Sequence, residues 1–144
     1  MNKGIENSFK ICTLCKTEKP ISDFYKFKKS DKQRARAECS VCSRKKKRER
    51  DKKTNQEYEN WYKKIPKKCE KCGETRPYLI DFHHINPLLK SIEISTIRSK
   101  CWSLKKKIET AEKEMQKCIQ LCSNFHREFH HLERNYEMTL DEYL

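Results

Sequence analysis

Histidines and cysteines carry the chemistry open to this chain, and their spacing says what that chemistry is. All five histidines lie in or beside two stretches, Asp81-Phe82-His83-His84-Ile85-Asn86-Pro87 and Leu121-Cys122-Ser123-Asn124-Phe125-His126-Arg127-Glu128-Phe129-His130. Histidine is both a metal ligand and a proton acceptor near neutral pH. Two adjacent histidines on a strand point in different directions, so one can bind a metal while the other faces a substrate. His126 and His130 are four apart and share one face of a helix. Together they describe a strand and a helix converging on one ion. A blander arrangement uses them to complete a structural zinc site. A doublet plus His-x-x-x-His beside a cysteine site exceeds what one four-ligand zinc needs.

The nine cysteines tell a second story. Six fall in Cys-x-x-Cys pairs: Cys12/Cys15, Cys39/Cys42 and Cys69/Cys72. The first two pairs are separated by 23 residues and supply four thiolates, which suits a closed tetrahedral zinc site. Between them lies Asp23-Phe24-Tyr25-Lys26-Phe27, an aromatic segment suited to a strand. So few aromatics cannot hold a module alone, and metal binding would supply much of its folding energy. Cys101, Cys118 and Cys122 lie toward the C-terminus.

Several elements must position these residues. Segment 43–63 lacks Gly and Pro, is full of helix formers and carries few apolar residues. It reads as a solvated basic linker helix that Pro66 stops. Gly73 follows Cys72, where a tight turn needs positive φ. Residues 78–82 read as a strand. Leu104, Ile108, Ala111 and Met115 form the apolar stripe of a helix over 103–117. Residues 118–121 read as a second strand, and Ser123 or Asn124 is placed to cap a final helix. The tail from Tyr136 to Leu144 is acidic and carries no further signal. The divisions expected are a zinc-ribbon module over 1–43, the basic helix over 44–66, a second module over 67–135 and the tail over 136–144.

Composition narrows the partner. The net charge of +13, with 38% charged residues against 35% apolar, raises the local concentration of a polyanion, and nucleic acid is the usual one. Arg44, Lys45, Lys46, Lys47, Arg48, Arg50, Lys52 and Lys53 face only two acids in the same segment, a net of +6. Each phosphate contact there releases counterions and makes binding salt-dependent. The first ten residues are polar and unlike a signal peptide, and no apolar run approaches the length of a membrane span. The chain reads as soluble and intracellular, where paired cysteines hold metal more often than disulfides.

The motifs resemble those of HNH endonucleases with the ββα-metal (His-Me finger) fold, above all small phage-type members. Those read as a zinc knuckle, then FHHINP, then KC-x-x-LC-x-N-C-H-x-x-x-H. This chain has DFHHINP at 81–87 and KCIQLCSNFHREFH at 117–130, and ICTLCKTEKPISDFYKFKK at 11–29 is similar to the zinc-ribbon leader often attached to them. The resemblance covers roughly residues 9–132. It implies a small zinc-stapled α+β protein: zinc ribbon, basic linker helix and ββα-metal core. It implies His83 and His126 as ligands of a catalytic divalent ion (Mg²⁺ or another), His130 as a third ligand or phosphate contact, and His84 as general base. Asn124 takes an orienting role and Arg127 assists at the phosphate. The implied reaction is hydrolysis of DNA phosphodiesters to 5′-phosphate and 3′-hydroxyl ends.

The chain departs from the pattern at two places. Cys69, Cys72 and Cys122 match three ligands of the family's second structural zinc, but Phe125 stands at the fourth. Cys118 is the expected substitute, with Cys101 as another. A three-ligand or empty site packed around Phe125 is the alternative. Lys117 stands where many members carry an Asn before the second strand. The reading from another class is a non-catalytic zinc protein binding DNA or RNA, a transcription or packaging accessory factor. A protein adaptor built on two zinc modules would not need the charge. Target sequence and oligomeric state, homodimer included, stay open.

Overall fold

The computed structural model describes residues 8–29 and 32–144. The protein is a small mixed α+β chain that divides into two compact units, Met1–Lys53 and Thr54–Leu144. The division falls within the basic helix. No helix among the described residues is long and apolar enough to cross a membrane.

The first unit is two hairpins and the start of a helix. β1 (Phe9–Ile11) pairs antiparallel with β2 (Glu18–Pro20), and β3 (Phe24–Lys29) with β4 (Lys32–Cys39). α1 (Ser40–Tyr62) follows at once, so Cys39 ends a strand and Cys42 sits in the first helical turn. The helix starts earlier than composition suggests, because the second knuckle itself turns the chain into it. The unit's core is small: Cys12, Phe24 and Cys39, with Ala35 and Cys42 against them. Lys10 lays its ammonium 5.6 Å from the Phe24 ring and donates to the Ala35 and Arg36 carbonyls.

The second unit is built on one antiparallel pair. β5 (Ile80–His84) and β6 (Cys118–Cys122) run in the register Ile80↔Cys122 to His84↔Cys118. Between them lie α2 (Ile94–Ile97) and α3 (Leu104–Met115); after them come α4 (Ser123–Tyr136) and α5 (Leu140–Tyr143). The first strand begins at Ile80 rather than Tyr78, since Pro77 opens a 3₁₀ turn that takes Tyr78 and Leu79. Ser103 caps α3, accepting from the Lys106 N–H. Neither Ser123 nor Asn124 caps α4: Cys122 holds the cap position, and the Ser123 hydroxyl donates to the Leu79 carbonyl instead.

The second unit has two apolar clusters. Cys69, Ile80, Ile119, Leu121 and Cys122 form one, with Phe125 and Leu140 against it. Tyr58, Ile97 and Ala111 form the other, joined by Leu104, Ile108 and Met115 of the α3 stripe. Lys107 and Glu114 are also buried on α3. The Lys107 ammonium donates to Asn55 Oδ1 and to the Arg98 carbonyl.

The acidic tail is structural. Thr139 and Glu142 make a capping box, with the Thr139 N–H donating to Glu142 Oε2 at 2.8 Å. α5 thereby delivers Tyr143, which is buried against Phe129 and Phe125 at ring separations of 5.3 and 6.4 Å. Its hydroxyl donates to Glu128 Oε2 at 2.6 Å, and Lys71 lies over its ring at 4.2 Å. Tyr143→Ala is expected to cost about 2–4 kcal/mol of stability. Tyr143→Phe, which removes only the hydroxyl, is expected to cost about 1 kcal/mol. Urea unfolding followed by circular dichroism measures both.

Candidate metal and catalytic sites

The two well-formed knuckles use one backbone device. The Cys12 N–H donates to the Thr17 carbonyl and the Lys16 N–H returns to the Cys12 carbonyl; the Cys69 N–H donates to the Glu74 carbonyl and the Gly73 N–H returns to Cys69. Residues in equivalent places, Lys16 (φ 57) and Gly73 (φ 75), take the left-handed conformation. Gly73 does so without strain, as its place after Cys72 suggests.

Cys12, Cys15, Cys39 and Cys42 bring their sulfurs within 4.8 Å of one another. A tetrahedral zinc with Zn–S near 2.3 Å needs sulfurs about 3.8 Å apart. The donor set fits. The Cys39 N–H donates to Cys12 Sγ at 3.3 Å. Such backbone donation, chiefly from Cys39, lowers the Cys12 thiol to about 6 and favours the thiolate a metal requires. Among the described residues there is no disulfide: all nine cysteines are free.

Cys69, Cys72 and Cys122 form a second cluster, with Cys72 and Cys122 sulfurs 3.9 Å apart. The structure does not bring Cys118 to it. Four steps of extended strand separate Cys118 from Cys122, about 13 Å, and Cys118 donates its thiol to the Glu114 carbonyl at the far end of β6. Cys101 is exposed and also outside the cluster. Phe125 occupies the remaining side as packing, in the cluster that holds Cys69 and Cys122. Of the arrangements open from the sequence, three thiolates beside an aromatic is the one present.

The third cluster is His83, His126 and His130, whose donor nitrogens also lie within 4.8 Å of one another. α4 presents His126 and His130 from successive turns, and β5 presents His83 across from them, with ring centroids 5.2 and 4.9 Å away. His126 Nδ1 lies 3.3 Å from Asp81 Oδ2, and His130 Nδ1 lies 3.1 Å from Glu133 Oε2. A carboxylate only accepts, so each Nδ1 carries its hydrogen. The two Nε2 lone pairs then face each other at 3.2 Å. A cation between them resolves that opposition; zinc with Zn–N near 2.0–2.1 Å needs nitrogens about 3.3 Å apart. Carboxylates behind ligating histidines are the usual support of such a site. Burial, aided by the neighbouring His130 and His126, lowers His83 to about 4 and keeps it in the neutral form that binds metal.

His84 points elsewhere. It is buried, and its Nε2 lies 3.1 Å from Glu114 Oε2. It nonetheless lines the same cleft as His83, His126 and His130, with Lys90 and Glu93. Glu114 also accepts from the Ser91 N–H at 3.2 Å and from Lys117 Nζ at 2.7 Å. Burial opposes its ionisation, but the donors from Lys117, His84 and Ser91 outweigh that and hold the carboxyl at about 2. Lys117 is thus a structural cation, bonded in addition to the Leu89 carbonyl and Ser91 Oγ.

Asn124 and Arg127 lie on the first turns of α4 and are not in the histidine cluster. His131 is exposed and bonds to Asn135. The eight basic residues over 44–53 all lie on α1, and all are exposed. Lys46 pairs with Glu38 at 2.7 Å and Arg50 with Asp51 at 3.4 Å. Sequence reasoning missed Glu114, Asp81 and Glu133. Glu114 had a readable signal: with Lys107 it falls at stripe positions of α3, three or four residues from Ala111.

Elemental analysis is expected to find zinc in the purified protein. Cys39→Ser and Cys122→Ser should each lower the zinc content, and Cys118→Ser should leave it unchanged. A chelator should unfold the first unit, whose core is mostly its own ligands. Equal zinc in wild type and Cys39→Ser would overturn the four-thiolate assignment.

Comparison with known proteins gives no match to any family model, curated protein or solved structure.

Proposed function

We propose that this chain is a divalent-metal-dependent nuclease of the HNH type that hydrolyses DNA phosphodiesters. One observation carries the reading: the inward-facing Nε2 pair of His126 and His130, each backed by a carboxylate, shares a cleft with His83 and with a second, separately held histidine, His84. A purely structural zinc has no use for His84. The element order, an antiparallel strand pair followed by a helix that packs on it, agrees with the ββα core implied by the sequence resemblance.

His83, His126 and His130 would hold the ion. Bound there, it would offset charge building on the phosphate and favour departure of the 3′-oxygen. Three imidazoles suit a borderline ion such as Zn²⁺ or Ni²⁺ better than Mg²⁺ or Mn²⁺, which prefer oxygen ligands. Asp81 and Glu133 keep His126 and His130 in the ligating tautomer. His84 takes a proton from the attacking water. The new bond is water oxygen to phosphorus, the bond broken is phosphorus to 3′-oxygen, and that oxygen takes a proton from solvent. The exposed cations of α1 hold the polyanion. The zinc clusters are scaffold: a four-thiolate site is closed and does no chemistry.

Supercoiled plasmid incubated with each of Mn²⁺, Zn²⁺, Ni²⁺ and Mg²⁺ tests this. Wild type is expected to nick, with His84→Ala slower by roughly 10²–10⁴-fold. Equal rates would remove His84 as base. No cleavage with any ion, with salt-sensitive DNA binding retained, would favour the accessory-factor reading. Binding itself has a separate expectation. Replacing Arg44, Lys47 and Arg48 with Gln should weaken DNA binding whatever the sequence. The slope of log K against log salt should fall by about 0.9 for each phosphate that is no longer neutralised. An unchanged slope would take the basic helix out of the interface.

A further inference from the structure

Glu114 is 3% exposed, on the α3 face that also carries Lys107, Ala111 and Met115. A buried carboxylate is retained only where it is paired and fully hydrogen-bonded. Here Oε2 takes His84 Nε2 and the Ser91 N–H, and Oε1 takes Lys117 Nζ. The lysine and the backbone amide fix the carboxylate from two sides. Its position is therefore set before His84 reaches it. A carboxylate accepts and never donates when ionised, so His84 must carry its hydrogen on Nε2. In the neutral ring that leaves Nδ1 as the nitrogen with a free lone pair. A base whose far nitrogen is held by a buried carboxylate is the arrangement that fixes both tautomer and ring orientation in hydrolases of unrelated folds.

We propose that Glu114 is the positioning residue of His84: it holds the Nε2–H tautomer and leaves Nδ1 to take the proton from the attacking water. The base role rests on the nuclease reading above; the tautomer rests on the hydrogen bonds alone. The proton balance is simple. Nδ1 gains the proton that water loses, Nε2–H stays bonded to Glu114, and the resulting imidazolium faces a carboxylate that offsets its charge. Lys117 then acts through Glu114, and its place before β6 serves this anchor.

Long-range ¹H–¹⁵N correlation spectra of the labelled full-length protein with its zinc, at about pH 8, above the ordinary histidine pKa of roughly 6.5, read the tautomer of each ring directly. His84 is identified by loss of its signals in His84→Ala. The expected result is Nε2–H with an unprotonated Nδ1. Glu114→Gln keeps an oxygen that can accept from Nε2 and drops the charge, since Lys117, partly exposed, can turn to solvent. It should retain the tautomer and part of the activity. Glu114→Ala should give a tautomer mixture and a kcat lower by about a hundredfold, with KM little changed and zinc content as in wild type. An Nδ1–H tautomer in wild type would overturn the proposal without any variant. So would a wild-type kcat in Glu114→Ala. If the alanine variant does not fold, the wild-type spectrum decides, since an Nδ1–H tautomer there is incompatible with donation from Nε2 to Glu114. Plasmid cleavage reports separately on the nuclease reading. A wild type that cuts nothing removes the base role of His84 and with it the catalytic half of the proposal, while the spectrum still decides the anchor.

Discussion

The register of β5 against β6 is the constraint on which the second unit depends. Side chains alternate along a strand, so the pairing that seats His83 toward α4 sends His84 toward α3. The same pairing places Cys122 beside Cys69 and Cys72 at one end and Cys118 beside Glu114 at the other. A slip of one residue would exchange the two histidines between their partners and break both networks at once. The histidine cluster, the proposed base and the thiolate cluster are thus one decision taken by two short strands.

Polar groups inside so small a protein must be compensated close at hand. The structure does this with carboxylates of distinct placement. Asp81 and Glu133 sit behind His126 and His130 near solvent; Glu114 sits deep, held by an ammonium and an amide. Lys107 repeats the pattern with the opposite sign, its charge met by a side-chain amide and a carbonyl. Hydrophobic packing supplies the clusters around them, but the directions of the side chains come from hydrogen bonds.

Much of this was legible in the sequence, and what was not has physical reasons. Knuckle spacing gave the thiolate groups, because a Cys-x-x-Cys turn is local. The histidine pairing followed from strand and helix periodicity. The α3 stripe was visible, yet charged residues at its positions look solvent-facing until a partner is known, and the partners of Glu114 lie 3, 23 and 30 residues away along the chain. The fourth ligand failed against the strand reading itself: four positions apart is adjacent on a helix and remote on a strand, so with 118–121 extended Cys118 could not join Cys122. The tail looked featureless by charge, although Thr139-x-x-Glu142 carries a local signature for a helix start.

Phe125 sets the shape of the three-thiolate site. Its ring fills space that a cysteine would open, and Tyr143 closes over it from the last helix. Ligation and aromatic packing are alternative ways to seal the same end of the sheet, and here the second has been taken. Restoring a donor by Phe125→Cys would therefore not be a simple gain. The tail would lose its seat, so the two positions can change only in concert. A substitution at Phe125 is thus also a substitution in the seat of the C-terminal helix.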